Sequence, residues 1–140
     1  MLYTAIDVAK YVINKCTIEQ HAISNLQLQK ILYYIQRTYL WNNNMIFDED
    51  FEAWQFGPVI PEVYNKYCSF GGMPIRMQYD VELDLYDKYI VDPIVESKRM
   101  MNPWIMVDDT HRPGMAWDEV YQNGLGNHQE ISKQLIRAKG

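Results

Sequence analysis

Residues 24–41 read SNLQLQKILYYIQRTYLW, and their reading decides the fold. Ser24 and Gln27 have the spacing of a capping box, in which each side chain accepts a hydrogen bond from the other's backbone N–H. Ile23 before the cap and Leu28 after it occupy the positions of a hydrophobic staple. Leu28, Ile31, Leu32, Ile35 and Tyr39 then recur at helical spacing, which predicts a helix from Asn25 to about Trp41 with one buried face. The run Asn42-Asn43-Asn44 ends it, because asparagine tolerates the left-handed backbone of a helix exit.

On the N-terminal side, Thr4 is a candidate N-cap for a helix running to about Lys15, with Ile6, Ala9, Ile13 and Cys16 on its apolar stripe. On the C-terminal side, Met45-Ile46-Phe47 and Phe51 to Phe56 flank the polar Asp48-Glu49-Asp50 and predict a short β-hairpin over about 45–56. A two-stranded hairpin is marginal by itself, so it is expected to pack on the helices.

Residues 53–67, AWQFGPVIPEVYNKY, follow. Pro58 drives Gly57 toward extended angles, which predicts a rigid corner between a strand and a helix. Pro61 suits the first helical position and Glu62 the first turn, and Gly71-Gly72 marks the stop. Further on, a helix is expected from about Leu83 or Asp84, with a break or kink at Asp92-Pro93. Asn102-Pro103 starts another helix, Pro113-Gly114 turns the chain, and Ser132 caps a last one through Arg137. The whole reads as a mainly α, compact helical domain with a short hairpin, one unit over residues 1–140 without repeat or linker.

Composition narrows the function. The chain has 140 residues, 48% of them hydrophobic, so it can bury a core without metals or disulfides. No apolar run approaches the ~20 residues of a membrane span, and the N-terminus lacks a secretory pattern, so the expectation is a cytoplasmic protein with no membrane partner. Cys16 and Cys68 are read as reduced thiols. Thirteen Lys and Arg against eighteen Asp and Glu give a net charge of −5, and no predicted helix carries a basic face, which argues against nucleic acid. The acidic groups at 48–52 and 80–87 are read as solvated faces.

Catalytic material is sparse. The three histidines, His21, His111 and His128, sit in no metal or nucleophile motif. Asp108 and His111, three apart, are the one pair able to converge on a metal from a helix, against the plainer reading of a solvated carboxylate and a turn-bonded imidazole. Gly57-Pro58 lacks the backbone donors of a phosphate cradle, and Gly124-Leu125-Gly126 lacks the third glycine of a dinucleotide site. The expectation is therefore no enzyme and no cofactor. Four Trp and eleven Tyr remain, and such rings are the usual anchors of protein interfaces.

Two blocks, Ser24 to Tyr34 and Ala53 to Tyr64, with Thr110-His111, Trp117 and Ile131-Ser132 beyond them, are similar to the motifs of the Panacea domain family of SocA-like antitoxins and phage-associated GepA-like proteins. The resemblance spans nearly the whole chain. It implies a mainly helical antitoxin of a type II toxin–antitoxin system that neutralises its toxin by direct contact, or that acts as an adaptor to the ClpXP protease. The partner would be a protein toxin or another host or phage protein. Its motif residues here are Ser24, Asn25, Gln27, Lys30, Gly57, Pro58 and Pro61, and the expected partner contacts are Trp54, Phe56, Tyr64, His111 and Trp117. Two alternatives stand beside it: a phage-encoded inhibitor of a host protein, and a metal-dependent hydrolase or nuclease built on Asp108 and His111.

Overall fold

The computed structural model describes residues 2–140. Seven α-helices and a three-stranded antiparallel sheet are present among them: α1 (Ala5–Ile18), α2 (Asn25–Trp41), β1 (Phe51–Trp54), β2 (Gly57–Val59), α3 (Pro61–Tyr67), α4 (Leu85–Lys98), α5 (Pro103–Thr110), α6 (Ala116–Tyr121), β3 (Glu130–Ile131) and α7 (Lys133–Lys139). The sheet order is β2-β1-β3. The architecture is mainly α with a short hairpin, as the sequence predicts, and among the described residues no helix is long and apolar enough to cross a membrane.

Helix α2 is the axis, touching α1, α3, α4, α5, α7 and β2. Its capping box forms as read, with Gln27 N donating to Ser24 Oγ and Ser24 N donating to Gln27 Oε1. Leu28, Ile31, Leu32 and Ile35 are fully buried. Polar residues lie on the inner face too, and each serves backbone that no regular element satisfies. Gln29 Oε1 accepts from Ile60 N at 3.0 Å, just before α3. Gln36 Oε1 accepts from Ile46 N at 3.0 Å while its Nε2 donates to Phe47 O at 2.7 Å. Buried backbone groups without partners cost free energy, so these amides are what allow irregular segments to pack against a helix.

Three expectations are corrected. Residues 45–47 form no hairpin arm. β1 pairs instead with β2, in the register Glu52↔Val59, Ala53↔Pro58 and Trp54↔Gly57, and with β3 through Phe51↔Ile131 and Glu52↔Glu130. Gly57-Pro58 is therefore an edge strand of the hairpin, a place where proline is tolerated because its missing N–H faces away from the ladder, and not a corner closing a strand. Pro93 neither breaks nor ends α4, which continues to Lys98; burial of Val91 and Val95 on the core side holds the helix together across the lost hydrogen bond.

The third correction concerns the acids. Asp87 is buried and accepts hydrogen bonds from Tyr39 Oη at 2.6 Å and Tyr3 Oη at 3.1 Å. Tyr11 Oη donates to Asp92 at 2.6 Å, and Lys133 Nζ binds Asp50 at 2.7 Å. Glu49 accepts from Ala5 N at 2.9 Å, at the positive end of α1. Phenol-to-carboxylate bonds thus fasten α4 to the two N-terminal helices, and much of the acidic sequence is structural.

Candidate functional site

Two of the motif residues, Lys30 and Gly57, meet behind the β1–β2 hairpin. The fully buried Lys30 of α2 donates its ammonium to the carbonyl of Phe56. Gly57 has φ +121°, and a Cβ there would collide with Lys30 Nζ and stand 3.0 Å from its Cε and 3.1 Å from Thr110 Oγ1. Only glycine fits a positive φ with a lysine tip against its backbone. No carboxylate accompanies Lys30, and burial pushes its pKa down to about 7.

Next to this lysine, His111 lies flat on Trp117, with ring centroids 3.6 Å apart and planes 5° from parallel. Tyr121 stacks against the same indole at 4.5 Å, and Trp117 Nε1 donates to Trp54 O at 2.8 Å. Trp117 is only 7% exposed. It clamps the end of β1 from inside, so the expected partner contact at Trp117 is a buried support. His111 Nε2 is buried without a hydrogen-bond partner. Burial, then the positive charge of Lys30, lower the His111 pKa to about 4. Asp109 accepts from Tyr34 Oη at 2.5 Å and pairs with Arg112. No cluster of three or more His, Cys, Asp or Glu is placed to hold a metal among the described residues.

In front of this support the hairpin opens a cleft of about 460 Å³, within the size range of ligand and anchor pockets. Trp54, Tyr64 and His128 make one aromatic group: His128 stacks on Trp54 at 4.3 Å and Tyr64 meets it edge-on at 4.9 Å. Phe56 and Trp104 make a second, edge to face at 5.5 Å. Phe56 is 47% exposed, Tyr64 36% and Trp104 55%. Asn25 and Gln29 also line the cleft, but Asn25 is tied to Tyr64 O and to Gln29 Nε2, and Gln29 to Ile60 N. Ser24, Gln27 and Pro61 act one step further back, fixing the starts of α2 and α3.

Of the expected contacts, then, Trp54, Phe56 and Tyr64 reach the cleft, and His111 and Trp117 stand behind it. Sequence reasoning missed Trp104 and His128. Trp104 carries a detectable signal, as a large ring in the first turn after the Asn102 cap, where Asn102 Oδ1 accepts from Trp104 N at 2.9 Å. His128 carries none, because it is placed by a left-handed backbone at φ 68° and by its N–H donating to Ala53 O at 2.7 Å.

A mainly helical domain with an aromatic-walled cleft, supported from behind by a buried lysine, is the class these features define. Residues 28–118 match the family described as antitoxin SocA-like, Panacea domain, and the chain belongs to that family. It is similar to the protein named antitoxin SocA of Caulobacter vibrioides (strain NA1000 / CB15N), with 28% identity over 144 residues that cover 91% of this chain and 75% of that one. No solved structure matches the chain.

Proposed function

We propose that the whole chain acts as one protein-binding module without catalysis, the antitoxin of a type II toxin–antitoxin pair, and that it neutralises a protein toxin by direct contact. The observation that carries this reading is the cleft itself: its rings reach solvent, while Lys30 and Gln29 behind it are committed to holding backbone. Aromatic anchors around a desolvated pocket are the usual energetic centre of protein interfaces. Similarity to a protein named antitoxin SocA supports the toxin as the class of partner. Trp54, Phe56 and Tyr64 are the contacts; His111 and Trp117 keep Trp54 in position.

The test is inducible expression of the protein encoded next to this one, with and without the present chain. Growth arrest relieved by co-expression, together with a co-purifying complex, is the expected result. A neighbour that is harmless alone, or whose toxicity persists with no complex formed, overturns the antitoxin reading. Repeating the rescue in cells lacking ClpXP separates blocking from delivery: rescue by direct contact persists there, and rescue by proteolytic delivery disappears.

A further inference from the structure

The register of the sheet sets Glu52 of β1 directly opposite Glu130 of β3. Like charges facing each other across a ladder are destabilising, and neither carboxylate belongs to any ion pair among the described residues. The other acidic residues near the sheet are treated differently, since Asp48 and Asp50 share Lys133. The unpaired couple is on the side of the sheet that carries the cleft. Glu52 and Trp54 are two residues apart on one strand and so share a face, and Trp54 Nε1 donates to Glu52 Oε1 at 2.9 Å. His128, two residues before Glu130, stacks on that same indole.

A cleft with aromatic walls and two uncompensated carboxylates beside it has the chemistry of a receptor for a flat organic cation. The one lysine that lines it, Lys30, is fully buried and engaged with Phe56 O, so no cation of the chain itself fills this role. Guanidinium suits the arrangement better than ammonium: it is planar, it lies against aromatic rings, and its fork of donors reaches two carboxylate oxygens at once. We propose that an arginine side chain of the protein partner docks on this face, its guanidinium received by Glu52 and Glu130, which lie outside the lining of the cleft and just beyond its Trp54 wall. The inference rests on the protein-binding reading above and names the chemistry of the contact. The alkyl stem lies along the Trp54 ring, which touches Glu52, and the guanidinium joins Glu52 to Glu130, offsetting the like-charge pair of the free protein.

The experiment is an NMR titration of the full ¹⁵N-labelled chain with Nα-acetyl-arginine amide, in parallel with the lysine and glutamine analogues. The indole N–H signals of Trp54 and Trp104 are expected to shift saturably with the arginine probe, at least about fivefold more tightly than with lysine, and not with glutamine. The double variant Glu52→Gln, Glu130→Gln keeps an acceptor for Trp54 Nε1 and is expected to weaken binding about tenfold while its spectrum stays that of a folded protein. Shifts that do not saturate, that are equal for all three probes, or whose affinity is unchanged in the double variant overturn the proposal. The growth rescue tests the antitoxin reading separately: arginine binding without rescue removes that reading alone, and rescue that is undiminished in the double variant removes this one alone.

Discussion

The back of the cleft and its front are built from the same sequence blocks and do opposite things. Behind the hairpin, Lys30 and Thr110 close on Gly57, Trp117 holds the carbonyl of Trp54, and Lys30, Gly57, Thr110 and Trp117 are all buried. In front, Phe56, Tyr64 and Trp104 stay at least one third exposed. Gly57 and Phe56 are neighbours in the chain, yet one is buried under the tip of a lysine and the other is a surface ring. A block of motif residues therefore divides into buried support and exposed rings, and the division follows packing, not sequence position. Exposed rings at the front can change without disturbing the packing behind them, which is how one fold serves different surfaces.

That contrast is tested most strongly from behind. Trp117→Ala removes a buried indole, its two ring partners and the hydrogen bond to Trp54 O, and is expected to cost about 3–5 kcal/mol of stability by urea unfolding. If toxin binding fell with stability unchanged, Trp117 would belong to the front after all. Gly57→Ala sets a Cβ against Lys30 at a positive φ and is expected to cost roughly 2–4 kcal/mol. Pairing it with Lys30→Ala relieves the collision but not the backbone strain, so only part of the loss returns.

Acid–base linkage gives a third test. The folded state holds Lys30 at about 7 against an ordinary 10.5, so between these values the unfolded chain binds the extra proton and stability rises with pH. A gain of about 2–3 kcal/mol from pH 7 to pH 10 is expected in the wild type, and Lys30→Met flattens it. His111, ordinarily 6.5 and about 4 here, acts in the acid range: stability falls as pH drops from 6.5 to 4, by roughly 1–2 kcal/mol given its partial burial, and His111→Gln removes that slope.

The smallest effects lie in front. Glu130→Gln relieves the like-charge pair and is expected to raise stability by about 0.2–1 kcal/mol in thermal unfolding. Tyr64→Ala is expected to cost about 1 kcal/mol of stability and to weaken the toxin complex by more. A front residue whose loss unfolds the protein would erase the distinction.

What could be read in advance follows the range of the interactions. The capping box at Ser24, the caps at Thr4, Asn102 and Ser132, and proline at the first turn of α3 and α5 form as the residues predict, since each is closed within three or four positions. The hairpin was displaced because its tight turn, Gln55-Phe56, has neither Asn nor Gly at its centre; the positive φ falls one residue later, at Gly57. The cleft could not be assembled from sequence, because its walls come from residues 54–64, 104 and 128, and no periodicity relates them.

By itself the sequence determined a mainly helical domain organised on residues 25–41, the capped starts of α1, α2, α5 and α7, its lack of a catalytic motif and, through two motif blocks, its family. Tertiary structure alone decided that Lys30 would be buried against Gly57, that Asp87 would serve two tyrosines, and that Glu52 would face Glu130. Caps and apolar stripes are specified by neighbours in the chain. A charge's meaning depends on which distant groups surround it and whether water can reach it, and that is fixed only when the elements pack.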